Sequence, residues 1–588
     1  MMIFHISCLG MASVALGFSP YLIQHSPVRL RTRLHSQMED NEEDWRNFRA
    51  KLVMKYRQDS GSSSTVTNID DSRSNVDGAW AYESGNAIEK GSIILSRAPD
   101  PDSSSDPESG LAQQFFHKSI ILVLDHDDNV FTKGIILNRP SNLVLSDEDF
   151  VNSDGSPLDG SSEDNQWKTW FGGEVSGILS DEPEIICIHF IDDEEADRES
   201  EIIMKGIKWT TLEGARSLVQ EGHAEATDFL TFIGYCGWDA GQLREELDQE
   251  SWYMVAADSR TVFEELKKND ASEGILDAGL ESWSLLMRMI GRQSAIDDTE
   301  ESFNDLMLKE WTKERLLFPT EDEGDEKIGE FLSKASGSSS FGSNIGVGSV
   351  LRSTASAQYN PFLLSDQEYH KCILLVVQDD DEMSVGVILN LPTATPIQFD
   401  FVDERTGDGA SFQVPERYGG RFSDASDEEV FLWFHCNESL KDKGIGEPLG
   451  MDLSSVWNVS PDDAANAIAT GQARADDFLV VSGLSVWEKA PGGIAGGIRG
   501  EVNNNLFEVV PTEDIGSVFD VLLQQEPMSS ETLEENIAFI DLAWSEAQSA
   551  DRDTPDSCPT SVYKSNVTIS HLADTALKRW VSAFLLEN

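Results

Sequence analysis

The sequence is poor in basic residues, poor in cysteine and short of long apolar runs. Only 44 Lys+Arg stand against 105 Asp+Glu in 588 residues, giving a net charge of −61. A field of that sign repels phosphate backbones and anionic membrane surfaces, so nucleic acid is disfavoured as a partner unless a local basic patch overrides it. The six cysteines (Cys8, Cys187, Cys236, Cys372, Cys436, Cys558) include no Cys-x-x-Cys pair. That spacing offers neither a zinc knuckle nor a thioredoxin-type site, and a disulfide scaffold is not expected. His126, His189 and His435 lack HExxH-type spacing. The acidic runs Asp192–Glu195 and Glu321–Glu326 lack the Gly and Glu placement of a calcium loop and read as solvated faces. There is no GxGxxG, P-loop or G-x-S-x-G motif. No cofactor, no metal and no catalytic residue is therefore expected.

What is present is core-forming material. The chain holds 14 Trp and 28 Phe, which excludes wholesale disorder, and its length suggests roughly two to four domains. Residues 1–38 contain no Asp or Glu, carry Arg29, Arg31 and Arg33, and open with an apolar stretch from Ile6 to Phe18. A signal-like core, Phe18, and then a basic, acid-free stretch read as a bipartite targeting presequence for a plastid (chloroplast). Plain secretion or a mitochondrial presequence is the alternative. No other run approaches the ~18 apolar residues of a spanning helix, so no transmembrane segment is expected in the mature chain. Three Asn-x-Ser/Thr sequons, at Asn437, Asn458 and Asn566, would matter only in the secretory lumen.

After a polar segment at 39–85, one pattern occurs twice. Residues 117–140 and 370–392 each give His-Lys, an apolar run, an acidic turn, a second apolar run and Asn-x-Pro. Such runs read as central strands joined as a hairpin. Phe171-Gly172-Gly173 is echoed by Tyr418-Gly419-Gly420, and His189 by His435. Residues 222–238 align without a gap to 471–487, identical at eight of 17 positions. Asp277-x-x-Leu280-x-x-Trp283 is paired with Asp574-x-x-Leu577-x-x-Trp580, which makes a stretch at about 525–570 a helical insertion. The expected plan is a domain at 86–318, an acidic Ser/Gly linker at 319–345, and a degenerate second copy at 346–588. Repeats of more than ~200 residues mean two homologous domains rather than a solenoid.

The most informative segment is 234–247. A strand at Phe229–Ile233 is expected to enter a Gly-rich turn and then a helix at 240–247, with Asp239 as N-cap and Gln242 completing a capping box. The free N–H groups of that first turn, beside Gly237, could hold an anion; the alternative is that Gly237 and Trp238 are turn and packing residues. In the second copy Val486 replaces Gly237, and Gly492, Gly493, Gly496, Gly497 and Gly500 weaken the helix, so any site belongs to the first copy. Arg139, after Asn138 and before Pro140, could present a fork to a carboxylate or phosphate, or could simply end a strand in a salt-bridged turn. Leu391 stands there in the second copy. Gly172 and Gly173 read as a turn or close backbone contact. Cys236 at the turn is a weak nucleophile candidate, with Ser485 as its counterpart.

Together these segments resemble the AlgH/YqgE family. Gly91, Pro99, Phe116-x-x-Ser119, His126, Gly134 and Leu137-Asn138-Arg139-Pro140 run in family order. Phe171-Gly172-Gly173, His189, Gly234-Tyr235-x-Gly237-Trp238-x-x-x-Gln242-Leu243, Glu246 and Trp252 follow. The resemblance covers about 90–292 and, in weaker form, 346–588. Glu174 and Cys236 depart from the family pattern. The resemblance implies an α+β fold of two homologous domains, each a curved mixed β-sheet flanked by helices. It supplies no agreed activity, cofactor or catalytic set. The expected function is a non-catalytic binding or regulatory module with an unknown protein or small-molecule partner. One alternative is a small-ligand or anion-binding enzyme or sensor. Its site would lie among Asn138, Arg139, Gly172, Gly173, Tyr235, Gly237, Trp238 and Gln242. The other is a transcriptional regulator, as the bacterial namesake's label suggests, which the charge opposes.

Overall fold

The computed structural model describes residues 80–318, apart from 98–110, 147–164, 179, 181–182, 263–274, 276 and 297–301. It also describes 345–586, apart from 357–358, 403–408, 423–430, 451–454, 490–495 and 549–567. The expected presequence at 1–38 and nearly all of the expected linker at 319–345 lie outside the described residues. The chain divides into two units, Met1–Pro319 and Thr320–Asn588.

In the first unit the strands are β1 (Ala81–Glu83), β2 (Ile93–Ser96), β3 (Ile120–Asp127), β4 (Phe131–Ile136), β5 (Pro140–Ser146) and β6 (Gln166–Phe171). They continue with β7 (Ile185–His189), β8 (Glu201–Met204), β9 (Ile207–Thr211), β10 (Phe229–Ile233), β11 (Cys236–Asp239) and β12 (Trp252–Ala257). They form two sheets, which with the flanking helices give the expected α+β class. The first runs β1-β12-β2-β3-β4-β11 and the second β5-β6-β10-β7-β9-β8. Every pair is antiparallel except β6 with β10. The apolar run Ile120–Leu124 is buried on both faces, which is why β3 lies inside its sheet. The acidic turn after it is an Asx turn, in which Asn129 N donates to Asp127 Oδ1 at 2.9 Å. Strand β1 begins within the segment expected to be polar, because Ala81 pairs with Ala257 and is buried.

Both sheets share one core. Leu95, Leu122 and Val255 of the first meet Ile188 and Phe232 of the second and Trp283 and Leu286 of α4 (Leu280–Met289). The far face of the second sheet, through Trp167, Cys187 and Phe229, packs on Ala196 of α1 (Glu194–Glu199) and on Ala215 and Leu218 of α2 (Leu212–Gln220).

The largest departure from expectation is at 234–247. Cys236–Asp239 is not a turn but strand β11, paired with β4 in the first sheet. Strand β10, just before it, lies in the second sheet. Gly234 and Tyr235 therefore carry the chain from one sheet to the other. The helix that follows, α3 (Gln242–Asp248), starts two residues later than expected, with Gly241 at φ +80° as N-cap and no side-chain cap. Half of the expected capping box survives, since Asp239 N donates to Gln242 Oε1 at 3.0 Å.

The second unit has β13 (Val350–Ser353), β14 (Ile373–Asp379), β15 (Met383–Ile388), β16 (Ile397–Val402), β17 (Gly409–Val414) and β18 (Glu416–Tyr418). It continues with β19 (Phe431–His435), β20 (Glu447–Pro448), β21 (Trp457–Val459), β22 (Leu479–Ser482), β23 (Ser485–Glu488) and β24 (Phe507–Val509). One sheet runs β23-β15-β14-β13-β24, another β18-β22-β19-β21-β20, and β16 and β17 form a separate hairpin. Again one pair is parallel, β18 with β22.

Helices near the end of each unit make contacts of the same kind. The last helix of the first unit, α5 (Phe303–Arg315), places Asp305 against His117 Nε2 at 2.8 Å and Lys118 Nζ at 2.8 Å. In the second unit Asp574 of the last helix (Ile569–Val581) meets His370 Nε2 and Lys371 Nζ, both at 2.7 Å. The Trp283 indole donates to Ser96 O at 2.9 Å, and the Trp544 indole to Ser353 O at 2.7 Å. The helix Leu533–Glu546 thus makes an indole-to-carbonyl contact of the same kind as α4. Asp305-x-x-Leu308-x-x-Trp311 and Asp574-x-x-Leu577-x-x-Trp580 make like contacts, with Trp311 on Phe171 and Trp580 on Tyr418.

Candidate functional site

Asn138 and Arg139 leave β4 at the start of β5, and both are fully buried. Asn138 Oδ1 accepts from Ile120 N at 2.9 Å, while its amide donates to Lys118 O at 3.0 Å and Gly279 O at 2.9 Å. Arg139 donates Nη1 to Asn138 O at 2.9 Å and to Ala278 O at 2.7 Å, and Nη2 to His117 O. The fork is spent on carbonyls from three segments. Burial pulls the guanidinium down to about 9, with Asp277 opposing the fall. Neither side chain faces solvent.

Gly172 and Gly173 lie where the second sheet's end meets the Gly234–Tyr235 crossing. Gly172 N donates to Ile233 O at 2.9 Å, and Gly172 O accepts from Ile136 N at 2.9 Å. A Cβ on Gly172 would sit 2.2 Å from Gly234 O, and one on Gly173 2.2 Å from Tyr235 C. The glycines permit backbone on backbone, as the reading of a close contact expected. Tyr235 is half-buried under the Lys133 ammonium, 4.2 Å from the ring centroid. Gly237 pairs with Lys133, and a Cβ there would strike the Phe131 ring at 2.6 Å.

Trp238 and Gln242 converge on a residue that sequence reasoning placed only in the family pattern. Glu246, buried on α3, accepts at Oε2 from the Trp238 indole at 3.0 Å and the Trp252 indole at 2.7 Å. Its Oε1 accepts from the Gln242 amide at 2.9 Å. Burial raises this carboxyl, and the three donors pull the other way. The result is a buried carboxylate that joins β11, α3 and β12.

The remaining candidates are also enclosed. Cys236 is buried, its thiol reaches Gly172 O at 3.6 Å, and burial pushes it well above the ordinary thiol range. That is the opposite of the thiolate a nucleophile needs. His126 meets Thr132 Oγ1 at 2.7 Å. His189 meets Ser200 Oγ at 2.7 Å, and burial lowers it to about 4. His435 donates Nε2 to Ile445 O at 2.8 Å. Among the described residues no three or more His, Cys, Asp or Glu are grouped to hold a metal, and no helix is long and apolar enough to cross a membrane.

The eight sequence candidates thus fall into three contact sets. Asn138 and Arg139 tie the hairpin's exit to Lys118, His117 and Ala278–Gly279. Gly172, Gly173 and Tyr235 form the crossing, which Gly237 continues on β11. Trp238 and Gln242 share Glu246. Sequence reasoning missed the His117–Lys118–Asp305 cluster, in which burial pushes the Asp305 carboxyl up but the His117 and Lys118 bonds outweigh it and hold it low. The signal was there: His-Lys recurs at 117 and 370, and Asp-x-x-Leu-x-x-Trp at 305 and 574.

A family profile described as AlgH-like (DUF179) matches residues 106–283. A UPF0301 protein of Bordetella avium is 30% identical over 158 residues, spanning 26% of this chain and 72% of its own length. One from Chlamydia muridarum is 30% identical over 178 residues, 30% of this chain and 79% of its own. One from Stenotrophomonas maltophilia is 32% identical over 153 residues, 25% of this chain and 73% of its own. Among solved structures, the solution structure of the AlgH protein from Pseudomonas aeruginosa is 20% identical with a TM-score of 0.23, covering 36% of this chain and 95% of that one.

Proposed function

Because the chain belongs to the AlgH-like UPF0301 family, we propose that it is a non-catalytic binding or regulatory module in which one family unit has been duplicated. The observation that carries the first part is the use of the motif's polar groups. Arg139 serves three carbonyls, and Glu246 serves two indoles and an amide. Groups held this way position chain segments and lie buried, turned toward backbone and indoles rather than toward solvent. The module would act through its surface, on a protein or small-molecule partner.

Support for duplication comes from the shared strand order and the two parallel pairs. It also comes from an exchange at adjacent positions of paired strands. Where the first unit has Arg139 and Trp170, the second has Leu391 and Arg417. Arg417 is also buried and donates to a backbone carbonyl, Leu522 O at 2.6 Å. The guanidinium has moved one strand over and kept its kind of task. This reading also sends the chain to a plastid through residues 1–38; a fluorescent fusion of those residues that stayed in the secretory lumen or entered mitochondria would contradict that part.

The functional part is tested with the purified full chain, screened for turnover of common metabolite classes alongside Arg139→Lys and Glu246→Gln. The expected result is no turnover that depends on either residue. A reaction lost in Glu246→Gln while the fold stayed as stable as wild type would overturn the reading.

A further inference from the structure

In the second unit, His370 is 1% exposed and bonded at both ring nitrogens. Nε2 lies 2.7 Å from Asp574 Oδ1, which only accepts while ionised, so Nε2 carries a hydrogen. Nδ1 lies 2.6 Å from Asn360 Nδ2. The orientation of that amide is fixed from its other end, where Phe362 N donates to Asn360 Oδ1 at 3.0 Å. Nδ1 must therefore accept. A second proton on the ring can go only to Nδ1, and there two donors would meet head to head.

Asn360 opens a buried apolar segment. Phe362 packs on Tyr369 and Phe507, each at 5.5 Å between centroids, and Leu363 and Leu364 are buried beside it. Gln367 Nε2 donates to Leu363 O at 3.1 Å. The charged groups facing His370 are Asp574 on the last helix, Asp541 on the helix before it, and Lys371 next in the chain. Lys371 Nζ bridges the two aspartates at 2.7 Å each. One ammonium against two carboxylates draws a proton toward the ring, while burial and Lys371 resist it. Burial is the largest influence, and His370 sits below the ordinary imidazole value of 6.5.

We propose that residues 360–364 form a proton-sensitive strap, latched by the bond from the Asn360 amide to the neutral imidazole of His370. A solvent proton taken up at Nδ1 opposes the amide. Turning the amide to accept that proton breaks its bond with Phe362 N. Acidification therefore frees the strap and uncovers the Phe362–Tyr369–Phe507 cluster as an apolar surface.

The test is amide hydrogen exchange of the full chain at pH 7.5 and 5.5, corrected for intrinsic rates. The β14 peptide serves as an internal control for global opening. In wild type the strap peptide is expected to exchange about tenfold faster at pH 5.5 while β14 stays protected. In His370→Gln, which cannot titrate, that pH response is expected to vanish. Asn360→Asp, which replaces the opposing donor with an acceptor, covers the case in which His370→Gln fails to fold. It is expected to keep the strap closed to a lower pH than wild type. Strap protection that does not change with pH in wild type overturns the proposal. So does a pH response unchanged in either variant, or a loss shared equally by β14.

Discussion

Arg139 bonds three backbone carbonyls from inside the fold, so its substitution should register as stability. Arg139→Lys keeps the charge but cannot fork across Asn138, Ala278 and His117. A loss of about 3 kcal/mol is expected in urea unfolding, since bonds to a charged donor contribute ~1.5–3 kcal/mol each and a buried ammonium recovers only part of them. Glu246→Gln brings an amide N–H2 against the Gln242 and indole donors, and about 1–3 kcal/mol should be lost at pH 7.5. The sign of its pH dependence follows from burial. Glu246 is raised in the fold from 4.5, so it binds a proton more readily folded than unfolded. Its contribution then grows as pH falls toward 4.5. The gap between wild type and Glu246→Gln should widen between pH 7.5 and 5; a gap that narrows would contradict the assignment.

At the scale of elements, the crossing from β10 to β11 is the narrowest joint of the first unit. Gly173→Ala would place a Cβ 2.2 Å from the Tyr235 backbone, which has no flexible end to move aside. The variant should fail to give a soluble, cooperatively unfolding protein, whereas Gly206→Ala, whose Cβ position is open, should lose only the modest cost of its φ of +78°. Helix α5 is held at its N-terminus by Asp305, which also closes a capping box with Ser302. Asp305 is lowered in the fold, so its contribution is complete above 3.8 and fades as pH falls below it. Asp305→Asn should cost about 3 kcal/mol and raise exchange across α5 before it affects β3. The hairpins were readable because an apolar run buried on both faces, cut by an acidic turn, has few other solutions. Strand β11 was not. Cys236–Asp239 is only four residues long, and its Gly, Trp and Asp read locally as turn and cap. Its pairing with β4, more than 100 residues earlier in the sequence, is a tertiary decision. Glu246 was hidden for a similar reason. On a short helix it reads as one more acidic surface residue until two tryptophans from flanking strands arrive over it.

For the whole molecule, the net charge of −61 implies self-repulsion that salt should relieve. Raising NaCl from 20 to 300 mM shortens the Debye length from ~20 Å to under ~6 Å, so the thermal midpoint should rise. A midpoint that falls steadily with salt would mean that ion pairs such as Lys118–Asp305 and Lys371–Asp574 outweigh the repulsion. The sequence also showed two echoing halves, through His-Lys, Gly-Gly and the 222–238 stretch. Near the end of each half, helices carry a Trp at compatible spacing, which sequence spacing does not tell apart; the indole contacts of Trp283 and Trp544 are tertiary. The claim that joins these scales is that the family motif serves the frame. Urea unfolding of wild type and Arg139→Lys, each with and without saturating phosphate, carboxylate and nucleotide ligands, tests it most directly. The expected result is the same difference between the two proteins in every buffer. A ligand that stabilises wild type by the ~2.7 kcal/mol of hundredfold saturation and leaves Arg139→Lys unmoved would contradict it.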